Sequence, residues 1–187
     1  MQKLVALVFN YSLNGLLAAP DTGFWTYCFE LLDDHGGPDH DDDTLEFLSS
    51  ASAHLMGRDA YDGMSKNMPT AVDHPWSPIL NAGNKVVLST TMQTAEWANT
   101  SIISGTTEEL DRLREGDGHV VVWGGVRTWR SLMALDLIDE FRISMYPYVT
   151  SKGTLMFDDV PEGYRLDLVS STPSTGGLIE LHYRRHR

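Results

Sequence analysis

With 187 residues and a mass of 20.9 kDa, the chain has the length of one domain, and residues 1–187 are expected to fold as a single unit. Five Trp, seven Tyr and six Phe are too much apolar surface to leave in water, which excludes disorder as the main state. Fourteen Lys and Arg against 26 Asp and Glu give a net charge of −12, a field that repels phosphate backbones, so no nucleic-acid partner is expected and any anionic ligand needs a local positive site.

Lys3–Phe9 is a short apolar run with β-branched members and is expected to be a strand buried on both faces. It is far too short to span a bilayer and too short for a secretory leader, so no membrane partner is expected and the cytoplasm is the expected compartment. Asn10–Pro20 follows as a loop, with a tight turn at Asn14-Gly15. Thr26–Leu32 predicts a short helix around the one cysteine, Cys28, whose apolar neighbours point to a buried, inert thiol. Asp33–Asp43 holds six Asp and two His and predicts a solvated loop. Its spacing matches no oxygen-ligand loop, so no metal is assigned to it.

Thr44–Ala53 predicts a helix, His54–Met56 a short apolar segment, and Gly57-Arg58 the start of a helix through Met64. Ser65–Asn84 is polar and Pro-rich and predicts a loop. Lys85–Ser89, Ser101–Ser104 and His119–Trp123 predict strands. Thr106–Arg114 predicts a helix with its N-cap at Thr106 or Thr107. After Gly124-Gly125, Thr128–Leu137 predicts a helix and Asp139–Val149 a long strand. Tyr164–Ser171 and Leu178–Arg185 alternate around a turn at Pro173–Gly177 and predict a hairpin. Strands alternating with helices and closed by a hairpin give an α/β fold: a mainly parallel twisted sheet flanked by helices with a C-terminal antiparallel hairpin.

Ligands of open parallel sheets bind beyond the carboxyl ends of the strands. Three segments have that position. Met56–Tyr61 runs from a strand through Gly57 into a helix start, with Arg58 as a planar cation suited to phosphate. Ser89-Thr90-Thr91 places hydroxyls just past a strand. Trp123–Thr128 has paired glycines that let a ligand approach the backbone, again followed by a helix start. Together they point to a dinucleotide-type ligand, against plain turn and capping chemistry. The seven histidines include no His-Glu-x-x-His helical pattern and are expected to be structural or solvent-facing.

Ser12-Leu13-Asn14-Gly15, Met56-Gly57-Arg58 with Tyr61, Lys85-Val86-Val87-Leu88-Ser89, Val122-Trp123-Gly124-Gly125, and Leu137-Ile138-Asp139-Glu140-Phe141-Arg142 with Pro147 occur in one order along nearly the whole chain. This set resembles the dihydrofolate reductase superfamily, and more closely its branch containing the reductase domain of riboflavin biosynthesis and stand-alone bacterial relatives. The resemblance implies a dihydrofolate reductase-like fold that binds NADPH (NADP). It implies cofactor contacts at Gly57, Arg58 and Ala60, at Leu88, Ser89 and Thr90, and at Trp123, Gly124, Gly125, Val126, Arg127 and Thr128, with Ala18 in the loop over the nicotinamide. It implies a small-molecule substrate of pterin or aminopyrimidine type, with Asn14, Trp25 and Phe47 as candidate substrate contacts. Core packing is the competing role for Trp25 and Phe47.

It further implies a homodimer through the long Asp139–Val149 strand and the C-terminal hairpin. An acidic proton donor falls near Asp41, Asp42 or Asp43, none of them singled out, so the catalytic residues stay unknown. Departures are Asn14 where the branch usually has Asp, Asp59 beside Arg58, Ala60 where Thr is common, and Thr150-Ser151-Lys152-Gly153 lacking the first glycine of a Gly-x-Gly turn. The expected function is an NADPH-dependent reductase. The alternatives are a nucleotide-binding protein of the same fold without turnover and an enzyme fold that has lost its cofactor.

Overall fold

A computed structural model of the chain describes residues 1–20, 22–35, 42–158, 160 and 162–187. Its centre is one ten-stranded sheet. Five strands carry the parallel part: β1 (Lys3–Ser12), β3 (Ala53–Gly57), β4 (Lys85–Leu88), β5 (Thr100–Ile103) and β6 (His119–Gly124). β7 (Glu140–Tyr146) joins β1 in parallel, and β9 (Leu166–Pro173) and β10 (Ile179–Arg185) add the antiparallel hairpin, in the order β5-β4-β3-β6-β1-β7-β10-β9. Two short strands, β2 (Leu16–Leu17) and β8 (Thr154–Leu155), pair with each other, and β2 pairs with the end of β1. This is the expected α/β architecture. Among the described residues no helix is long and apolar enough to cross a membrane.

The apolar run of β1 explains the layers. Alternate side chains point to opposite faces of a strand. Leu4, Ala6 and Val8 face Trp129, Leu132 and Met133 of α6 (Val126–Ala134), together with Leu110 of α5 (Thr107–Leu113). Val5 and Leu7 face Phe47 and Leu48 of α2 (Asp42–Ser49), Tyr61 of α3 (Arg58–Asn67), and Trp76 and Leu80 of α4 (Trp76–Ala82). Each such buried side chain contributes about 1.5–3 kcal/mol relative to exposure. A smaller cluster, Ala18, Phe24, Cys28, Tyr146 and Leu178, seats α1 (Gly23–His35). Cys28 is buried as expected, and burial pushes its thiol up to about 12.

Several boundaries differ from expectation. The stretch expected as a loop, Ser65–Asn84, contains the end of α3, a 3₁₀ turn at Met68–Thr70 and α4. Pro75 and Pro78 suggest a loop in the sequence, yet they fall at the N-cap and first turn of α4. A missing N–H costs nothing there, because first-turn amides have no intrahelical acceptor. Trp76 and Leu80, one turn apart, then bury the helix face. The Asp33–Asp43 loop is also shorter than expected: α1 runs on to His35 and α2 begins at Asp42, while residues 36–41 lie outside the described ones.

Candidate active site

β3, β4, β5 and β6 run parallel, so their carboxyl ends meet along one edge of the sheet. A cleft of about 520 Å³ opens there. Its walls include Gly57 and Arg58 after β3, Leu88, Ser89 and Thr90 after β4, and Gly125, Val126, Arg127 and Thr128 after β6. The structure therefore brings the three expected strand ends together. It places Asp59 and Thr91 of those segments on the walls too, and adds a pair the sequence reading passed over, Ser104-Gly105 at the end of β5. The signal for the last pair was available, since Ser101–Ser104 is itself a strand running into a glycine and a helix cap.

Two helices aim open N-termini into the cleft. Neither Gly57, the N-cap of α3, nor Gly125, the N-cap of α6, offers a side chain to bond the first free N–H groups. Each end carries about half a positive charge from its aligned peptide dipoles. α5 is the contrast. Glu109 Oε2 accepts the N–H groups of Ser104, Gly105 and Thr106 at 3.1, 2.9 and 2.9 Å, while Thr106 Oγ1 accepts Glu109 N–H at 3.3 Å. Those bonds hold the Glu109 carboxyl down at about 2 and satisfy that helix end internally. The cleft's free donors thus belong to α3 and α6.

Glycine is required at two of these positions. A Cβ on Gly57 would collide with Thr128 Oγ1, so β3 and α6 touch through that absence of side chain. Gly124 has φ +87°, and a Cβ there would lie 2.6–2.8 Å from the Trp129 ring. The Gly124–Gly125 peptide is cis. Arg58 reaches Thr91 Oγ1 at 3.2 Å and Asp62 at 3.4 Å, and stays half exposed. Ser89 Oγ accepts the N–H groups of Thr91 and Met92 at 3.3 and 3.1 Å, which fixes the turn carrying those hydroxyls. Asp59 pairs across the cleft mouth with Arg127 at 3.0 Å.

Beyond Gly124 the sheet splits. β1 and β6 pair from Lys3↔His119 to Ala6↔Val122 and no further, although β1 continues to Ser12. Both strands are irregular at the split. The β1–β7 register jumps from Val8 to Tyr11, skipping Phe9 and Asn10, and the β3–β6 register jumps from Leu55↔Val122 to Met56↔Gly124, skipping Trp123. Bulges of this kind re-aim side chains beside sites. Asn10 holds the loop over the split: its carbonyl accepts Ala18 N–H at 3.0 Å, and its amide donates to Ala18 O at 3.4 Å. Phe9, Trp76 and Trp123 face one another at 4.7–5.8 Å between ring centroids. Ala18, Trp123 and Gly124 thus belong to the split rather than to the walls of the 520 Å³ cleft, and Ala60 packs against the second core cluster.

The three candidate substrate contacts are not brought together. Phe47 lies by the opposite ends of the strands. It stacks on His119 at 4.5 Å, takes the Arg142 guanidinium on its ring at 4.0 Å, and lines a separate 430 Å³ cavity with Lys3, Glu140 and Arg142. Its role is core packing, because α2 presents it to the start of β6. Trp25 packs edge-on against Phe29 at 5.3 Å and belongs with the α1 cluster that includes Ala18. Asn14 ties two loops: its amide donates to Thr150 O at 2.9 Å and its oxygen accepts Thr150 N–H at 3.2 Å.

Of the candidate proton donors, Asp43 pairs with Arg142 at 3.1 Å, beside Phe47 and away from the cleft, and Asp41 lies outside the described residues. Histidines are structural where their partners are seen. His182 bonds Glu140 at 2.9 Å, His186 bonds Asp167 at 2.8 Å, and His119 donates to Phe47 O at 2.9 Å. Among the described residues no three His, Cys, Asp or Glu side chains stand together as a metal site.

Several known proteins are similar to this chain. The uncharacterized protein YyaP of Bacillus subtilis (strain 168) is 26% identical over 144 residues, covering 74% of this chain and 76% of YyaP. A putative riboflavin biosynthesis protein from Shewanella sp. PV-4 superposes with a TM-score of 0.77 at 20% identity, covering all of both chains. Dihydrofolate reductase from Enterococcus faecalis, solved with NADP(H), superposes with a TM-score of 0.60 at 17% identity, over 99% of this chain and 97% of the other. These two likenesses establish the dihydrofolate reductase-like fold. The sequence pattern of the RibD C-terminal domain matches residues 3–179, and the chain belongs to that family.

Proposed function

We propose that the protein is an NADPH-dependent reductase that transfers a hydride to a small heterocyclic or ribosyl substrate of pterin or aminopyrimidine type. The observation that carries this reading is the convergence of two uncapped helix N-termini and the Arg58 cation on one glycine-lined cleft of about 520 Å³. That donor set suits a ligand with several phosphates. Gly125, with nothing within 4 Å of where a Cβ would stand, also leaves backbone open to a diphosphate. The residues present therefore fit the cofactor.

Gly57 and the first turn of α3, with Arg58, Ser89, Thr90 and Thr91, would hold the adenosine 2′-phosphate end. Gly125 to Thr128 at the start of α6 would hold the diphosphate. The split at Ala18, Phe9 and Trp123 would hold the nicotinamide end and its substrate. When bound, NADPH supplies the hydride. The chain orients both reactants and excludes water, with Ala18 hung on Asn10 as the cover.

The same reading includes a homodimer, supported by the edge strand β9, which exposes Leu168 and Val169 to 55% and 44%. Light scattering at working concentration tests that part.

The experiment for the whole reading is a titration with NADPH and with NADH, followed by tryptophan fluorescence. A screen for substrate-dependent loss of NADPH absorbance then uses pterins and aminopyrimidines. Saturable binding with NADPH preferred, followed by turnover, is the expected result. Saturable binding without oxidation of NADPH by any of them supports the nucleotide-binding alternative. No binding up to about 1 mM, an affinity of about −4 kcal/mol, overturns the cofactor assignment.

A further inference from the structure

Between Ser89 and Asn99 the chain forms neither helix nor strand, yet Ser89, Thr90 and Thr91 line the cleft. A second cavity of about 680 Å³ opens behind this segment, lined by its Met92, Thr94 and Glu96 and by Asp62, Ser65 and Lys66 of α3. Met92 and Ala95 reach the second core cluster only in part, and Gln93 to Glu96 find no hydrogen-bond partner among the described residues. A stretch with so few buried contacts opens easily unless something pins it.

Trp97 is the pin. It is the one buried residue of the segment. Its indole N–H donates to Asn81 Oδ1 of α4 at 2.7 Å, and the Lys85 ammonium lies 4.8 Å from its ring. Its backbone N–H donates to the hydroxyl oxygen of Tyr61 at 3.0 Å. Tyr61 is buried on α3, one turn after Arg58, and lines the second cavity rather than the cleft. Two hydrogen bonds thus tie α3 to the segment. Arg58 donates to Thr91 Oγ1 at 3.2 Å in the cleft, and Tyr61 holds Trp97 behind it. A phosphate in the cleft would compete for the first, since guanidinium and hydroxyl are both donors it can use. The second lies outside the cleft and would remain.

Resting on the reductase reading, we propose that Tyr61 is a positioning residue for the 2′-phosphate end of the cofactor. It touches neither ligand nor reacting atoms. By holding Trp97 to α3 it keeps the Ser89, Thr90 and Thr91 hydroxyls opposite Arg58, and so sets how strongly NADPH is preferred over NADH. A ligand that needs one loop position binds more weakly in proportion to the fraction of molecules that hold it. Without the Tyr61 hydroxyl the Trp97 N–H is buried and unpaired, so positions displaced toward the 680 Å³ hollow gain weight. NADH carries no 2′-phosphate to meet the displaced hydroxyls and is affected little.

Tyr61→Phe keeps the ring and removes the acceptor. In equilibrium dialysis of the full chain it is expected to weaken NADPH about five- to tenfold and NADH less than about twofold. Asn81→Ala loosens the same pin from α4 and is expected to move the NADPH-to-NADH ratio in the same direction, so the test stands even if Tyr61→Phe does not fold. Hydrogen exchange without ligand reads the pin independently. The Trp97 amide is expected to be protected in the parent and to exchange at least about tenfold faster in Tyr61→Phe, with β3 and β6 unchanged. A merely structural role would weaken both nucleotides alike. An unmoved ratio in the folded variants therefore overturns the proposal while leaving the reductase reading intact, and so does a Trp97 amide that exchanges freely in the parent. If the parent binds neither nucleotide, the reductase reading falls and takes this role with it, whatever exchange shows of the pin.

Discussion

The indole N–H of Trp123 donates to Nδ1 of His54 across 3.1 Å, fastening the bulged end of β6 to the buried face of β3. The bond fixes the imidazole as the neutral Nε2–H tautomer, because a protonated Nδ1 has no lone pair to accept with. Burial first, then the charges of Lys85 and His119, lower His54 from 6.5 to about 4.

Stability therefore depends on pH with a defined sign. The unfolded chain protonates His54 near 6.5, while the folded chain resists until about 4. Between those values the unfolded state binds more protons, so the stabilisation is complete above about 6.5 and is lost as pH falls toward 4. The full effect is on the order of 3 kcal/mol. Melting curves from pH 7.5 to 4.5 are expected to show a falling midpoint. His54→Gln should flatten most of that decline, leaving the residual slope of His119, which burial also depresses. An unaltered slope in the variant would assign the effect elsewhere.

Asp59 and Arg127 face each other at 3.0 Å with side chains 75% and 85% exposed. So exposed a pair adds little to stability, yet its carboxylate stands at the cleft mouth beside Arg58. Asp59→Asn is expected to leave the melting midpoint nearly unchanged. It should tighten NADPH binding by about three- to tenfold at low salt, an effect that shrinks at high salt. Arg58→Ala is expected to weaken NADPH by about 1–3 kcal/mol and NADH by less. Equal losses would show that Arg58 does not read the 2′-phosphate.

The cleft at the strand ends was legible in the sequence because its pattern is local. A glycine, a following helix start and an arginine lie within a few residues of one another at Gly57-Arg58 and Gly125–Arg127, and the strand before each fixes which edge they share. The split between β1 and β6 was not legible. Phe9, Trp76 and Trp123 meet only because two ladders skip residues, and skipped registers leave no periodic trace. Phe47 misled for a related reason: an aromatic on an amphipathic helix looks the same whichever end of the sheet it covers, and only packing on His119 decides. α4 hid behind its prolines, which signal a loop unless their place in the first turn is known.

Gly57 offers a clean steric test. Its φ of −75° and ψ of 163° are ordinary for any residue, so an alanine meets no backbone strain there. The obstacle is Thr128 Oγ1, with Gly124 O next at 3.3 Å. Gly57→Ala is expected to cost roughly 2–3 kcal/mol by overpacking. Adding Thr128→Ala should recover more than half of that, giving a favourable coupling in a double-mutant cycle read by denaturant titration. Simple additivity would place the clash somewhere other than Thr128.

Asn14 uses both ends of its amide. Its oxygen accepts from Ser12 Oγ at 3.0 Å and Thr150 N–H at 3.2 Å, and its nitrogen donates to Thr150 O at 2.9 Å. A carboxylate can copy the two accepted bonds but not the donated one, and it would press negative charge against the Thr150 carbonyl. Asn14→Asp is expected to destabilise the chain by about 1–2 kcal/mol at neutral pH. Its folded-state carboxyl would be raised above the ordinary range, because the protonated form regains a donor. The folded state then binds more protons, so the deficit relative to the parent shrinks as pH falls through that range. Denaturant titrations of both chains at matched pH values measure this difference, and a deficit independent of pH would show that the donated bond to Thr150 is not its source.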